Sequence, residues 1–275
     1  RNYDTSIAVA GTHGKTTTTS MLSHILLKGE CDPTISVGGI LPAIGGNIRV
    51  GQSETFLTEA CEYTNSFLSF FPTIGIILNI DADHLDFFKD IDDIRHSFRK
   101  FAELLPAEGA LIINADTPKY EMITENLPCK VITYGLEHDA EYTASDITYD
   151  EFGHPTFHVL HNGEDIGTCS LKVPGIHNVS NALASIAAGR LLGLDNEVIF
   201  AGLKDFGGTD RRFQYKGKVG EVTIIDDYAH HPTEIEATLH AAHNYPHKKI
   251  WCVFQPHTYT RTKALLPEFA KALTL

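Results

Sequence analysis

The residues with the clearest chemical potential lie near the start of the chain, in the segment AVAGTHGKTTTT at positions 8–19. Gly14, Lys15 and Thr16 close a loop that follows an apolar stretch and opens a helical pattern. In such a loop the first backbone N–H groups of the helix attract a phosphate, the lysine adds a positive charge, and the threonine hydroxyl can ligate Mg²⁺. The segment therefore predicts a phosphate-binding loop, although Val9 stands where the usual G-x-x-x-x-G-K-[ST] pattern has its first glycine. A turn without a ligand is the alternative interpretation.

Polar side chains follow two further apolar stretches. Glu59 ends one of them, in TEACEY, and the segment NIDADHLD, which carries Asp81, Asp83 and His84, follows the other. Ligands of open α/β sheets bind outside the carboxyl ends of the strands, so both segments can face the Gly-Lys-Thr loop. Carboxylate and imidazole groups there suit Mg²⁺ in ATP chemistry, which commonly uses two ions. Each residue taken alone could equally be a cap or a solvated loop charge.

Two pairs of polar residues stand out in the second half of the chain. Asn178 and Asn181 have the i, i+3 spacing that puts both amides on one helix face, and an N-cap role explains only one of them. Arg211 and Arg212 follow the glycine pair of FGGTDRR, where a guanidinium could approach a transferring phosphoryl group. Surface arginines that pair with the acidic body of the protein are the alternative.

Histidines cluster after two later apolar stretches. DDYAHHPTEI carries Asp227, His230 and His231 before a proline-started helix, and FQPHTYTRT carries His257 and Arg261. Adjacent histidines suggest a metal site, but no third ligand follows at zinc spacing. Contact with a substrate or nucleotide is therefore the preferred interpretation.

The elements that must position these residues alternate between apolar, Val- and Ile-rich runs and helical patterns. This alternation predicts an α/β fold with a mostly parallel sheet covered on both faces. The predicted strands are 7–10, 55–60, 73–80, 110–114 and 130–134, and the predicted helices are 15–27, 91–105 and 118–125. From 142 to 173 a two-residue alternation with HNGED as a turn predicts a small antiparallel excursion. A long helix should begin near His177.

The glycine pair at 207–208 is the predicted domain boundary, dividing the chain into 1–206 and 207–275. The second unit is predicted to open an α/β domain with strands at 221–226 and 249–254 and helices at 232–242 and 261–273. Two parallel strands make a sheet that is small for an independent domain. At the other end of the chain, residue 1 is an arginine and the first apolar strand follows it almost at once. We therefore expect the chain to be a fragment.

Composition excludes several classes of protein. The net charge of −13 over 275 residues argues against a nucleic-acid or membrane-surface partner. The five cysteines form no C-x-x-C pair, as expected for a reducing compartment. The longest apolar stretch, residues 74–80, is too short to span a bilayer, and no leader pattern begins the chain. We expect a cytoplasmic protein.

Seven ordered segments resemble those of the Mur ligases of peptidoglycan synthesis, over nearly the whole chain. They are GTHGKTTT, EACEY, NIDADHLD, HNVSNALAS, TDRRF, DDYAHHPTE and FQPHTYTRT. The first is shared loosely with folylpolyglutamate synthetases, whereas the last four together are more specific. The resemblance implies a central P-loop ATP-binding domain followed by the start of a Rossmann-like C-terminal domain. It also implies that the N-terminal domain that holds the UDP group lies outside this chain, as does the end of the C-terminal domain.

The activity that the resemblance implies is ATP-dependent amide ligation. The γ-phosphoryl group of ATP passes to the lactyl carboxylate of UDP-N-acetylmuramate, and L-alanine attacks the resulting acyl phosphate. Phosphoryl transfer needs charge neutralisation and positioning, and no nucleophile motif is present. A ligase that joins the same sugar nucleotide to a preformed tripeptide and a folylpolyglutamate synthetase-like ligase stay open as alternatives. A P-loop kinase, GTPase or motor is disfavoured because no N-K-x-D segment occurs. We expect this chain alone to bind ATP but to turn over poorly, and a homodimer is possible.

The resemblance also implies roles for individual residues, with ATP and two Mg²⁺ ions as cofactors. Lys15 would hold the β- and γ-phosphates, Thr16 and Glu59 one Mg²⁺, and His84 the second. The remaining nucleotide contacts would be Gly11, Thr12, His13, Gly14, Thr17, Asn178, Asn181, Arg211, Arg212 and one of Asp226 and Asp227. The residues expected around alanine and the acyl phosphate are His230, His231, His257 and Arg261. Several Mur ligases carry a carbamylated lysine after the D-H-[LM]-D segment, but IRHSFRKF puts Phe98 near that position, so no carbamate ligand is expected.

Overall fold

The computed structural model describes residues 3–275 and contains one ten-stranded sheet and one two-stranded sheet. The strands of the large sheet are β1 Thr5–Ala10, β2 Thr34–Leu41, β3 Gly46–Arg49, β4 Thr55–Glu59, β5 Ile74–Ile77, β6 Ala110–Asn114, β7 Lys130–Tyr134, β8 Tyr142–Tyr149, β9 Pro155–His161 and β10 Glu164–Ser170. The two-stranded sheet is formed by β11 Gln214–Val219 and β12 Val222–Asp226. The helices are α1 Lys15–Lys28, α2 Ile91–Ala102, α3 Glu121–Thr124, α4 Ile176–Leu191, α5 Asn196–Asp205, α6 Pro232–His243, α7 Tyr259–Ala264 and α8 Leu266–Ala272. Short 3₁₀ helices span Pro42–Ile44 and Tyr63–Ser69.

The large sheet is mostly parallel, which confirms the predicted fold class. Its strand order is β10-β9-β8-β7-β6-β5-β1-β4-β2-β3. The strands from β2 to β8 in that order run parallel, while β9 and β10 at one edge and β3 at the other are antiparallel to their neighbours. The predicted antiparallel excursion is therefore β8–β10, with HNGED at the β9–β10 turn. Because β1 lies between β4 and β5, the carboxyl ends of these three strands meet at one edge.

Both faces of the sheet are buried, because successive side chains of a strand point to opposite sides. In β1, Ile7 and Val9 join the core beneath α1, α4 and α5, whereas Ala8 and Ala10 join the core beneath α2. The near-continuous apolar runs that predicted parallel strands thus reflect burial on both faces.

Helices α1 and α5 pack unusually close together on the first face. A Cβ atom at Gly202 of α5 would lie 2.7 Å from the Cα atom of Ile25 in α1. Only glycine can be accommodated where the two helices come this close. The contact holds α1, whose first turn carries Lys15, in position against α5.

The second unit differs from its predicted secondary structure. Residues 249–254 form no strand, because an apolar run becomes a strand only where a neighbouring backbone pairs with it, and none of the described residues does. The strands present, β11 and β12, pair antiparallel as a hairpin instead of as two parallel strands, and β11 was not predicted. The predicted helix at 261–273 is divided into α7 and α8 at Leu265, two residues before Pro267.

The first unit differs in smaller ways. Strands β2 and β3 were missed, because glycines interrupt their apolar pattern. The predicted helix at 118–125 contracts to the single turn α3. No helix among residues 3–275 is long and apolar enough to cross a membrane.

Candidate active site

The segment after β1 forms a tight loop that is fastened to the end of β5. Gly11 and Gly14 have φ angles of 143° and 84°, which favour glycine. The Asn79 side chain accepts the His13 N–H at 2.7 Å and donates to the His13 carbonyl at 3.0 Å. Thr12 is held as well, since its hydroxyl accepts the Asp81 N–H at 2.9 Å. The loop therefore presents the start of α1 in a fixed position.

Lys15 and Thr16 each contact a glutamate that follows β4. The Lys15 ammonium donates to Glu62 Oε2 at 3.0 Å and to the carbonyls of Gly11 and Thr12. The Thr16 hydroxyl donates to Glu59 Oε2 at 3.1 Å, and Glu59 Oε1 accepts the Gly38 N–H. The parallel pairing of β1 with β4 brings these groups together.

His84 lies on the far side of Glu62 from the loop. Its Nε2 atom is 3.9 Å from Glu62 Oε1, and its ring stacks on Tyr63 with centroids 4.4 Å apart. Glu62 is only 2% exposed, and its Oε1 atom has no hydrogen-bond partner among the described residues. Lys15, Glu62 and His84 thus form a line that leads away from the loop.

These side chains fit the two magnesium ions that the family resemblance implies. Thr16 with Glu59 offers one pair of donors, and the partnerless Glu62 oxygen with His84 offers another. No three His, Cys, Asp or Glu side chains within residues 3–275 converge as a protein-only metal site. Mg²⁺ does not require one, because it is commonly held by one or two carboxylates, waters and substrate phosphates.

A cavity of about 680 Å³ opens beside the phosphate-binding loop. Both units line it: the first contributes the loop and α4, and the second contributes the segment before β11 and the start of α6. The predicted residues in its wall are His13, Gly14, Thr17, Asn178, Asn181, Arg212 and Asp227. The volume lies within the usual range of small-molecule sites.

Among the groups that line this cavity, His177 and Asp227 have pKa values shifted toward their neutral forms. Enclosure by protein lowers the pKa of His177 to about 4, with a further contribution from the positive charge of Arg212, although the ring keeps solvent contact inside the cavity. Burial raises the pKa of Asp227 against the opposing effect of its bonds from the Phe213 and Ala229 N–H groups, both 2.7 Å. The cavity therefore disfavours the charged form of His177, and the two backbone N–H groups hold the Asp227 carboxyl in place.

A second cavity, of about 350 Å³, lies on the His84 side. Its wall includes His84, His230, His257 and Arg261. Arg261 donates from Nε to Asp83 Oδ1 at 2.9 Å and from Nη2 to Asp83 Oδ2 at 3.1 Å, so this pair joins the two units. Burial alone would raise the pKa of Asp83, but the Arg261 bonds and neighbouring His84 outweigh it and lower that pKa to about 2.

A third group of charges joins the units between the two cavities. His13 Nδ1 is 3.2 Å from Glu234 Oε1, and His13 Nε2 is 3.1 Å from Asp81 Oδ2. Burial lowers the pKa of His13, but the two carboxylates outweigh it and raise that pKa to about 9. Burial alone would raise the pKa of Glu234, but His13 and His230 outweigh it and hold that pKa well below the usual value. His231 caps α6 and its ring lies 4.8 Å from that of His13.

The structure thus divides the sequence-predicted residues among three places. The nucleotide candidates line the larger cavity, except that Gly11 and Thr12 contact β5 and Arg211 lies at the surface. Lys15, Thr16 and Glu59 lie at the loop, and the substrate candidates line the smaller cavity, except that His231 is buried at the cap of α6. Asn178 and Asn181 do not cap α4: their amides are buried, Asn178 donating to the Pro174 carbonyl and Asn181 to Asn178 Oδ1.

Sequence reasoning missed Glu62 and Glu234. Glu62 stands three residues after Glu59 in EACEY. Its position just past the end of a strand could have indicated that it faces the phosphate-binding loop. Glu234 forms a capping box with His231, which predicts a helix start, but nothing local indicates its contact with the phosphate-binding loop.

Comparison with known proteins identifies the family to which both parts of the chain are similar. Residues 9–189 match the Mur ligase middle domain, and residues 211–275 match the Mur ligase glutamate ligase domain. UDP-N-acetylmuramate–L-alanine ligase from Agathobacter rectalis is 62% identical over 274 residues, which are 100% of this chain and 60% of that protein. The chain therefore spans about 60% of the length of this relative.

Solved structures show the same fold. The UDP-N-acetylmuramate-alanine ligase of Thermotoga maritima superimposes with a TM-score of 0.82 at 33% identity, over 98% of this chain and 59% of that one. A murein peptide ligase from Psychrobacter arcticus gives a TM-score of 0.69 at 29% identity, over 86% of this chain and 54% of that one. With one family domain matched over most of the large sheet and a second over the hairpin and helices that follow, the chain belongs to the Mur ligase family.

Proposed function

We propose that the protein containing this chain is an ATP-dependent ligase that adds L-alanine to the lactyl carboxylate of UDP-N-acetylmuramate through an acyl phosphate. The observation that carries the proposal is the line Lys15–Glu62–His84, which leads from the phosphate-binding loop to the smaller cavity. Phosphoryl transfer requires the nucleotide and the acceptor to lie side by side, with charged groups at the point of transfer.

The larger cavity is the proposed ATP site. The start of α1 faces it with Gly14 and Thr17, and Arg212 approaches from the second unit. Lys15 would exchange its hydrogen bonds to the loop carbonyls for contacts with the β- and γ-phosphates. The buried amides of Asn178 and Asn181 would line the part of the cavity that holds the adenosine. Arg212 would stabilise the charge that develops on the transferring phosphoryl group.

Magnesium would neutralise the phosphate charge during transfer. Thr16 and Glu59 would hold one ion, and His84 with Glu62 would hold the other beside the acceptor carboxylate. A carboxylate oxygen of the sugar nucleotide attacks the γ-phosphorus and ADP leaves. The amine of L-alanine then attacks the acyl carbon, and inorganic phosphate leaves.

The smaller cavity is the proposed acceptor site. Its histidines and Arg261 offer N–H donors, which suit the oxygens of an acyl phosphate and the carboxylate of an amino acid. The division of the chain at 206/207 belongs to the same proposal, because Arg212 and Asp227 would then reach the nucleotide from a separate unit.

A ligase for a preformed tripeptide is the rival within the family. Similarity supports alanine, with 62% identity to the L-alanine ligase of Agathobacter rectalis. Among solved structures, the alanine ligase gives a TM-score of 0.82 at 33% identity, against 0.69 at 29% for the murein peptide ligase. The test is phosphate release by the full-length protein with ATP, Mg²⁺ and UDP-N-acetylmuramate, comparing L-alanine, glycine, L-serine and the tripeptide. We expect release with L-alanine and a product heavier than the sugar nucleotide by one alanine residue. Release with the tripeptide alone would instead support the rival, and release with neither would contradict the proposal.

A further inference from the structure

His13 is the residue of the phosphate-binding loop that the proposed chemistry leaves without a task. Its backbone is held at both N–H and carbonyl by Asn79, so its position follows that of the loop. Its side chain reaches across to α6, where Nδ1 contacts Glu234 Oε1. This contact spans 221 residues of sequence and joins the two units.

Glu234 brings three of the second unit's candidate residues together around one carboxylate. Its Oε1 atom faces His13 and lies 3.9 Å from Nη1 of Arg212. Its Oε2 atom accepts the backbone N–H groups of His230 at 3.0 Å and His231 at 3.3 Å. A shift of Glu234 relative to the loop would therefore move groups that line both cavities.

We propose that His13 is a positioning residue that couples the phosphate-binding loop to α6 through Glu234, so that a nucleotide in the loop fixes Arg212 and His230. The inference rests on the proposed function for its consequence in catalysis. It assigns to His13 no contact with the reacting atoms.

The electrostatic surroundings support a charged connection. The groups that face His13 are Asp81 from the segment after β5, and Glu234 and His231 from α6. Behind Glu234 stand Arg212 and His230. The two carboxylates outweigh the burial of His13 and keep its pKa above the ordinary value, so the imidazolium is the form that bridges the units at neutral pH.

The test is hydrogen–deuterium exchange of α6 in the full-length protein, with and without a non-hydrolysable ATP analogue and Mg²⁺. In the wild type the analogue should slow exchange in the first turns of α6 about tenfold, a typical coupling between two sites. In His13→Ala and Glu234→Gln this protection should fall below about threefold, measured at an analogue concentration that calorimetric titration shows to saturate each variant.

His161→Ala is the matched control, because His161 Nε2 also lies 3.1 Å from a carboxylate, that of Glu141, but at the far edge of the sheet. It should retain the full protection of α6. His13→Gln repeats the experiment with a side chain of similar size, should truncation to alanine unfold the loop.

Steady-state kinetics add a second readout. At saturating ATP, His13→Ala should lower kcat/KM for L-alanine on the order of 30-fold. The double variant His13→Ala/Glu234→Gln should be no less active than Glu234→Gln alone, because the two substitutions remove the same contact. Equal nucleotide protection of α6 in wild type and His13→Ala would overturn the inference. Failure of the wild type to release phosphate with L-alanine would contradict the proposed function alone, because the exchange experiment requires only nucleotide binding.

Discussion

Replacing Lys15 by methionine should destabilise the fold as well as abolish ATP binding. Methionine keeps the length of the side chain but removes the charge that lies 3.0 Å from Glu62 Oε2. Glu62 is 2% exposed and its other oxygen has no hydrogen-bond partner within the described residues. The substitution therefore leaves a buried carboxylate without its cation.

The size of the effect follows from burial. Removing one partner of a fully buried ion pair costs about 3–5 kcal/mol, and His84 remains near Glu62, so we expect a loss of about 2–3 kcal/mol in the free energy of unfolding. For a unit of this size that corresponds to a fall of roughly 5–10 °C in Tm. The double variant Lys15→Met/Glu62→Gln removes the stranded charge and should recover all but about 1 kcal/mol.

Urea unfolding followed by circular dichroism measures the stability, and calorimetric titration with an ATP analogue measures binding. Lys28→Met is the control, because Lys28 pairs with Asp205 at 2.8 Å on the exposed surface and should cost less than about 0.5 kcal/mol. The double variant should be stable yet unable to bind the nucleotide. Equal stability of wild type and Lys15→Met, or a double variant no more stable than the single one, would refute the reasoning.

Three further predictions concern the metal donors, a histidine and a helix contact. Glu59→Ala and His84→Ala should each raise the Mg²⁺ concentration for half-maximal phosphate release about tenfold in the full-length protein; Mg²⁺ titrations that superimpose on the wild type would contradict both roles. The pKa of His13 is raised from 6.5 to about 9 in the folded state. Its contribution, about 3 kcal/mol, should be fully present below about pH 6.5 and lost as the pH rises through about 9. The difference in unfolding free energy between wild type and His13→Ala should therefore shrink between these pH values, and a constant difference would count against the ion pairs. Gly202→Ala should cost about 2–3 kcal/mol, because its Cβ would lie 2.7 Å from the Cα atom of Ile25; an unchanged urea midpoint would show that α5 can move away from α1.

The parts of the fold that sequence could predict are those determined by local pattern. Strands β6 and β7 have the predicted bounds: β6 is a short apolar run buried on both faces, and β7 buries Ile132 and Tyr134 on one face. The run at 249–254 has the same pattern and forms no strand, because the pattern reports apolarity whereas a strand also needs a partner backbone. Likewise β2 was missed because its glycines hide a strand whose position depends on pairing with β4.

The sequence indicated which residues of the candidate site carry chemical groups better than it indicated which of those residues contact each other. Lys15 and Thr16 could be recognised because their functional geometry is local, being the first turn of a helix after a glycine loop. Their partners Glu62 and Glu59 stand more than 40 residues away, and only the order of strands in the sheet brings them together. The contact of His13 with Glu234 depends in addition on how the second unit lies against the first, which no local pattern contains.

Under the proposed function the site has to admit ATP and release ADP, and the charged character of that contact between the units suits such opening. The apolar core of the second unit, formed by residues such as Ile235 and Phe269, is separate from the two cores of the first. The units meet at the candidate site instead through Asp83 with Arg261 and through His13 with Glu234. When such pairs separate, each charge gains water in exchange for its partner, so opening costs far less than deleting one partner inside the closed site. An apolar seam of the same area would lose its full hydrophobic contribution on opening. In the proposed reaction, ion pairs at the seam would thus give a definite closed geometry around the nucleotide and keep the release of ADP and product energetically accessible.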